Sequence, residues 1–303
     1  MRPQAAKVRF LDLELEHSRY ESSGFVVLPV PYEGTVSYGK GTAKAPAAII
    51  KASTQVELFD EELHDEFHQA GIFTAEAVHC KSAKPEEFQQ RIEKRNSKLL
   101  EDGKFVLTIG GEHSISIGLV KAAAKRWPNV SVLHLDAHAD MRDSYQQSKY
   151  SHACVMRRIS ELPVPAVSVG VRSYSLGESE FLNSDGRASE RLITAREIAE
   201  SRVDRSASGR WMERVLAALS EKVYVSIDID VFDPSQAPGT GTPEPGGLDW
   251  YEVTSLLRRV SQNKQIVSAD IVEVIPKVAG EVSEFLAARL AYKIIAYCQQ
   301  GSW

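Results

Sequence analysis

Short apolar runs of strand-forming residues alternate with longer amphipathic runs along the chain. Eight of the short runs predict β-strands, and the second and sixth of them carry the weakest signal. These runs cover residues 24–30, 71–76, 105–109, 131–136, 166–171, 191–195, 223–229 and 266–272. Because strands that alternate with helices form mostly parallel sheets covered on both faces, the pattern predicts an α/β fold around a central sheet of about eight strands.

The longer runs predict amphipathic helices. The clearest one covers residues 249–262, where Val253, Leu256, Leu257 and Val260 recur at the spacing of one helix face. The other predicted helices cover residues 86–101, 114–126, 210–221 and 280–298, and one more begins near Pro46. A Ser/Arg-rich stretch at 201–210 and a Pro/Gly-rich stretch at 237–247 are too short to link domains, so we predict a single domain over residues 1–303.

Composition and charge narrow the classes of partner. Hydrophobic residues make up 43% and charged residues 25% of the 303 positions, which is the balance of an ordinary globular protein. The formal net charge of -5 speaks against nucleic-acid binding and suits a cationic substrate. No segment approaches the roughly 20 apolar residues of a membrane span, and residues 1–16 lack the apolar stretch of a signal peptide. We therefore expect a cytoplasmic protein without a membrane or nucleic-acid partner.

Ionisable residues follow three of the predicted strands directly. Gly110-Gly111-Glu112-His113-Ser114 follows one strand, Asp136-Ala137-His138-Ala139-Asp140 the next, and Asp228-Ile229-Asp230 a third. In open α/β sheets the working residues gather at the carboxyl ends of strands. Since side chains two positions apart on an extended segment point to the same side, we expect the side chains of each motif to converge.

Two histidines and four carboxylates cannot be packed together without compensation, because repulsion and desolvation would cost several kcal/mol per unpaired charge. Divalent cations would remove this cost, and six ligands for two ions require shared carboxylates. The predicted metal ligands are His113, Asp136, His138, Asp140, Asp228 and Asp230. Hard oxygen ligands with two imidazoles and no thiolate favour manganese over a structural zinc, while nickel, cobalt and iron stay open.

Each motif has an ordinary structural interpretation as well. An isolated Asp-x-Asp or Gly-Gly turn is usually only a cap or a turn, and the metal site rests on all three motifs occurring together. His64-Asp65-Glu66-Phe67-His68 resembles a zinc-protease helix, but it has Asp where that motif has Glu, and we interpret it as a solvated acidic helix. His134, inside an apolar strand, is interpreted as a hydrogen-bonded core residue.

The three motifs, with Asp233-Pro234 after the third, resemble the signatures of the ureohydrolase family, which includes arginase and agmatinase. The resemblance runs from about Pro29 to the C-terminal helix. It implies a three-layer α/β/α fold, a centre of two manganese ions, and trimers or hexamers. It assigns His113, Asp136, Asp140 and Asp228 to one ion and Asp136, His138, Asp228 and Asp230 to the other.

Two further positions match the family pattern. His152 lies where the family has a histidine at the mouth of the site, and Glu273 matches its guanidinium-binding glutamate. Taken alone, one would be an ordinary loop histidine and the other a strand-end carboxylate. The implied reaction is attack on a guanidinium carbon by a water activated between the two cations. Asp140 would carry a proton to the leaving amine, and His152 would exchange protons with solvent.

The choice of substrate depends on the loops. Residues 141–149 lack the arginase pattern, whereas residues 151–154 and 237–247 look more like those of agmatinase-type members. The leading hypothesis is therefore hydrolysis of agmatine to putrescine and urea, a reaction of polyamine biosynthesis. Aminopropylagmatine, guanidinobutyrate and arginine are the alternatives within the class. Outside it stand a catalytically silent binding protein and a single-zinc deacetylase, which would leave Asp140 and Asp230 unexplained.

Overall fold

A parallel sheet of eight strands forms the centre of the molecule. The computed structural model describes residues 3–80, 84–184, 191–203 and 209–301. The sheet strands are β1 (Phe25–Val30), β4 (Ile72–Thr74), β5 (Phe105–Gly110), β6 (Val130–Leu135), β7 (Ala166–Val171), β8 (Leu192–Thr194), β9 (Lys222–Asp228) and β10 (Gln265–Val272). Their spatial order is β4-β1-β5-β10-β9-β6-β7-β8, and every neighbouring pair is parallel. All eight predicted strands are confirmed, including the two with the weakest signal.

Helices cover both faces of this sheet. They are α1 (Ala45–Ser53), α2 (Pro85–Glu101), α3 (Ser116–Arg126), α4 (Val155–Ser160), α5 (Leu176–Ser184), α6 (Ala195–Val203), α7 (Arg210–Ala218), α8 (Trp250–Asn263) and α9 (Val282–Gln300). Apolar residues of α1 and α6 to α9 form one buried cluster with one side of the strands. Residues of α2, α3 and α4 form a second cluster with the opposite side. The three-layer α/β/α arrangement is therefore confirmed.

Two buried layers explain why the strands are apolar throughout. Val26 packs in one cluster and Val27 in the other, and Val106 and Leu107 divide in the same way. Successive side chains of a strand point to opposite faces, so a strand covered on both faces has no polar alternation. No helix among the described residues has the length and apolar character needed to cross a membrane.

The helical interpretation of residues 64–68 is wrong. Asp65–Glu66 is instead a short strand, β3, which pairs antiparallel with β2 (Phe59–Asp60), and a 3-10 helix follows at His68–Ala70. His64 has a φ of +55°, which no right-handed helix accommodates. Helices α4, α5 and α6 were not predicted at all, and residues 204–208 of the predicted Ser/Arg loop lie outside the described residues.

A buried ion-pair cluster ties the C-terminal helix to the β2–β3 turn. The ammonium of Lys293, 1% exposed, lies 2.8 Å from Asp60 Oδ1 and 2.9 Å from Glu62 Oε2. The hydroxyl of Tyr297 donates to the same oxygen of Glu62 at 2.6 Å, and Arg258 contacts its other oxygen at 2.7 Å. Removing one partner of such a pair leaves the other charge buried without compensation.

We expect Lys293→Met to lower the free energy of unfolding by about 3 kcal/mol, because Asp60 would stay buried without its ammonium partner. Equilibrium urea unfolding, followed by circular dichroism, measures this difference. The control is Arg196→Met, which breaks the exposed pair of Arg196 with Glu200 and should leave stability unchanged within error. Equal effects of the two substitutions would contradict the importance of the buried cluster.

Candidate metal centre and active site

The three motifs meet at the carboxyl edge of the central strands. The register places Val30 beside Gly110, Ile271 beside Ile109, and Val272 beside Asp228. β6 pairs with β9 up to Leu135 and Ile227. The segments that follow β5, β6, β9 and β10 therefore emerge next to one another, although they are distant in sequence.

A glycine makes the turn after β5 possible. The backbone N–H of Gly111 donates to Val30 at 3.0 Å, and its carbonyl accepts from the N–H of Glu273 at 2.8 Å. A Cβ atom on Gly111 would lie 1.8 Å from the carbonyl oxygen of Tyr32, which no side chain tolerates. The close approach of these backbones fixes His113 and Glu273 side by side.

The ring of His113 faces three carboxylates. Its Nδ1 lies 3.1 Å from Asp136 Oδ2 and 3.3 Å from the Oδ2 atoms of both Asp140 and Asp228. Its Nε2 lies 3.1 Å from Ser226 Oγ, and that hydroxyl donates to Asp270 at 2.9 Å. Ser226 therefore accepts a hydrogen from Nε2, which in the neutral imidazole leaves the lone pair of Nδ1 aimed at the carboxylates.

A second group forms around His138. Its Nδ1 lies 2.9 Å from Asp230 Oδ2 and 3.4 Å from Asp136 Oδ1. Asp136 thus turns one oxygen towards His113 and the other towards His138. Asp230 is oriented by the N–H of Ala137, which donates to its Oδ1 at 3.0 Å. Asp136 belongs to both groups, which is the position that a bridging carboxylate must occupy.

The electrostatics of the cluster favour added positive charge. Burial raises the pKa of Asp228 well above its ordinary value, and the charges of Asp230 and Asp136 add to this effect. Burial by itself would lower the pKa of His113, but the nearby carboxylates of Asp136, Asp140 and Asp228 outweigh it and raise that pKa well above its ordinary value. Nδ1 of His113 is buried without a well-formed hydrogen bond although three carboxylates surround it. Imidazole nitrogen and carboxylate oxygen in this arrangement fit divalent cations.

His134 supports Asp136 from behind. Its Nε2 lies 2.8 Å from Asp136 Oδ2 and its Nδ1 lies 3.0 Å from Ser168 Oγ. His134 also lies close enough to His113, Asp136 and Asp140 to count among possible ligands. Since both of its ring nitrogens have hydrogen-bond partners within the protein, we interpret His134 as a residue that orients Asp136, in agreement with the core position inferred from the sequence.

Two of the predicted site residues have strained backbones. Asp140 has a φ of +50° and Glu273 a φ of +64°, in the left-handed region that residues with a Cβ rarely adopt. The carbonyl of Asp140 accepts from the N–H of Arg157 at 3.1 Å, and the N–H of Glu273 is held by Gly111. Each such residue costs about 1–3 kcal/mol, and this strain is typical of functional positions.

Glu273 is a buried carboxylate beside the cluster. Its Oε1 accepts from the backbone N–H of His113 at 2.6 Å, and the residue is 8% exposed. Burial raises the pKa of Glu273 well above its ordinary value, and the nearby charge of Glu112 raises it further. A cationic group bound here would stabilise the ionised form of this carboxylate.

A cavity of about 140 Å³ opens onto the cluster and onto Glu273. It is also lined by His152, for which the family resemblance predicts a place at the mouth, and by the loops at residues 36–39 and 240–242. These two loops touch where the N–H of Gly39 lies 3.3 Å from the carbonyl of Gly241. A Cβ on Gly39 would lie 2.7 Å from the Cα of Gly241, so the contact requires glycine. The first loop was not predicted to belong to the site, because residues 36–39 form no motif with a chemical signal of its own.

Comparison with known proteins agrees with this geometry. A family model described as the Arginase family matches residues 23–296. The chain is 38% identical to the N(1)-aminopropylagmatine ureohydrolase of Synechocystis sp. over 95% of this chain and 93% of that protein. It is 35% identical to the agmatinase of Bacillus anthracis over 86% of each. The crystal structure of the agmatine ureohydrolase of Thermoplasma volcanium matches with a TM-score of 0.84 and 31% identity, over 97% of this chain and 95% of that one.

We expect Asp136→Asn to reduce the metal content from two ions per chain to one or none, because the amide lacks the charge that both groups share. The metal is measured by plasma mass spectrometry after loading and gel filtration. The matched control is Asp143→Asn, which removes an exposed carboxylate three positions after Asp140 and should leave the metal content unchanged. Full loading of Asp136→Asn would refute the shared role of this residue.

Proposed function

Because the chain belongs to the arginase family and is a ureohydrolase, we propose that it hydrolyses agmatine to putrescine and urea. The observation that carries this proposal is the buried carboxylate of Glu273, which lines one cavity together with the cluster around His113 and His138. A guanidinium group is planar, cationic and rich in donors, so a buried carboxylate beside a hydrolytic centre suits it.

We further propose a centre of two manganese ions. One would be held by His113, Asp136, Asp140 and Asp228, and the other by Asp136, His138, Asp228 and Asp230. The two oxygens of Asp136, which face different histidines, support the shared role of that residue. The assignment of manganese rests on the excess of oxygen ligands and on the lack of thiolate among the proposed ligands. The trimeric or hexameric assembly that the resemblance implies also stays a prediction.

The chain's own residues have separate tasks in this proposal. A pair of divalent cations would supply an activated water and stabilise negative charge on the reacting carbon's substituents. Glu273 binds the guanidinium group by charge-assisted hydrogen bonds and orients its carbon towards the metal ligands. Asp140 lines the same cavity and transfers a proton to the leaving amine, while His152 exchanges protons with solvent at the mouth.

The cavity mouth suits an uncharged or cationic tail better than an amino-acid carboxylate. Arg142 lines the cavity, but its guanidinium packs over Tyr145 at 5.1 Å, and its Nε lies 3.7 Å from Glu178. Glu178 is buried and offsets this charge. A substrate carboxylate would have to compete with Glu178, whereas an amine tail would not.

A second candidate substrate is N(1)-aminopropylagmatine, which contains the same guanidinobutyl group with a longer amine tail. The relative from Synechocystis sp., which is named for this substrate, is similar to the chain over nearly its whole length. The side chain of Tyr38, 80% exposed, stands at the cavity mouth, where a longer cationic tail would emerge.

We expect urea release from agmatine or N(1)-aminopropylagmatine to exceed that from arginine and 4-guanidinobutyrate by about 100-fold in kcat/KM, since only the last two carry a carboxylate, which would have to compete with Glu178 for Arg142. The assay uses purified, manganese-loaded protein and all four compounds. Equal or greater activity on arginine would overturn the proposed substrate class. The ratio of kcat/KM between agmatine and N(1)-aminopropylagmatine shows which tail length the site prefers.

Glu273→Gln should lower kcat/KM by about 100-fold or more, because an amide keeps the acceptor for the N–H of His113 but loses the charge that binds the guanidinium. The matched control is Glu281→Gln, an exposed carboxylate on the same segment before α9. Metal content should be normal in both variants. Undiminished turnover by Glu273→Gln would remove this residue from substrate binding.

A further inference from the structure

We propose that Thr35 is a positioning residue that fixes the tautomer of His152, and that Glu112 orients the hydroxyl of Thr35 for this task. The inference rests on the proposed function in one respect only, the role of His152 in proton exchange. The hydrogen-bond chain itself depends on no metal and no substrate.

Glu112 is a fully buried acceptor that collects four donors. Its Oε2 accepts from the backbone N–H groups of Gly34 and Thr35, each at 2.7 Å. Its Oε1 accepts from the hydroxyls of Thr35 and Ser114, each at 2.6 Å. Backbone N–H groups can only donate, so Oε2 is an acceptor, and an ionised Glu112 accepts from the two hydroxyls at Oε1 as well. The single hydroxyl hydrogen of Thr35 therefore points to Glu112.

The remaining lone pairs of the Thr35 hydroxyl can only accept. The backbone N–H of His152 donates to Thr35 Oγ1 at 3.0 Å. Nδ1 of the same histidine lies 3.2 Å from this oxygen, nearer than Ser151 Oγ at 3.4 Å. Because Thr35 has no second hydrogen to offer, Nδ1 must carry the proton in this contact. Neutral His152 then has its lone pair on Nε2.

This tautomer leaves the lone pair of His152 on Nε2, the ring nitrogen that is available to the cavity. His152 lines the substrate cavity, and its ring meets that of Tyr145 edge to face at 5.8 Å between centroids. Ser37 Oγ, at 3.5 Å, is a weak neighbour of Nε2, so this nitrogen stays available to the cavity. A histidine that exchanges protons with substrate or solvent needs its free lone pair on the accessible nitrogen. With the proton on Nε2 instead, the lone pair would face Thr35.

Two substitutions separate the hydroxyl from the shape of the side chain. Thr35→Val keeps the branched shape and removes the hydroxyl, whereas Thr35→Ser keeps the hydroxyl. We expect Thr35→Val to lower kcat by about 10- to 100-fold, a part of what general acid–base catalysis contributes. The KM for agmatine should stay within about threefold, because Glu273 binds the guanidinium group. Thr35→Ser should restore kcat to within about threefold of the original chain.

The tautomer itself is measured by solid-state ¹⁵N NMR on protein with labelled histidines, loaded with diamagnetic Mg²⁺. The signals of His152 are identified by comparison with His152→Gln. We expect a protonated Nδ1 and a bare Nε2 in the original chain and in Thr35→Ser. In Thr35→Val, the signals of His152 should shift towards the other tautomer or a mixture of the two.

Three results would overturn the inference. One is a bare Nδ1 in the original chain. Another is a Thr35→Val protein whose tautomer and kcat match those of the original. The third is a Thr35→Ser protein as impaired as Thr35→Val, which would place the effect in loop packing. If the original chain releases urea from no guanidine, the proposed function fails, while the NMR measurement still decides the role of Thr35.

Discussion

The concentration of negative charge at the carboxyl edge of the sheet is the constraint on which the rest of the site depends. Asp136, Asp228 and Asp230 are buried within a few ångströms of two imidazoles. The low dielectric of that position makes their repulsion costly, and one proton on His113 cannot satisfy three carboxylates. Divalent cations would resolve this conflict, and the same cations would make hydrolysis possible at neutral pH. Stability and chemistry therefore select the same donor set.

The fold and the cluster were predictable because both depend on local patterns. Eight apolar runs predicted the strands. The motifs directly after β5, β6 and β9 meet because these parallel strands, with β10 between β5 and β9, end at the same edge of the sheet. The features that were not predicted depend on single backbone angles or on contacts between distant residues. His64 has a positive φ that the residues around it do not predict. The ion pair of Lys293 with Asp60 joins residues more than two hundred positions apart. Contacts of that separation leave no period in the sequence.

The supporting residues around the cluster show what pattern reasoning leaves out. His134, Ser226 and Ala137 each orient one member of the cluster through a single hydrogen bond. Such partners have no characteristic spacing, because any strand or loop that passes the site can supply them. We expect their effect on function to be large, because a ligand displaced by more than about 0.5 Å loses the geometry on which catalysis depends.

Glu112 links the metal cluster to the mouth of the cavity. It immediately precedes His113, and its carboxylate holds the backbone of Gly34 and Thr35 in the loop that contacts His152. The turn after β5 and the loop that contains Gly34 and Thr35 are therefore fixed by one buried side chain. A change at Glu112 would disturb both ends of the cavity together, and its effects could not be assigned to either. The hydroxyl of Thr35 contacts Glu112 and His152, and its removal leaves the carboxylate of Glu112 in place, so the role of His152 can be separated from that of the cluster at this position and not at Glu112.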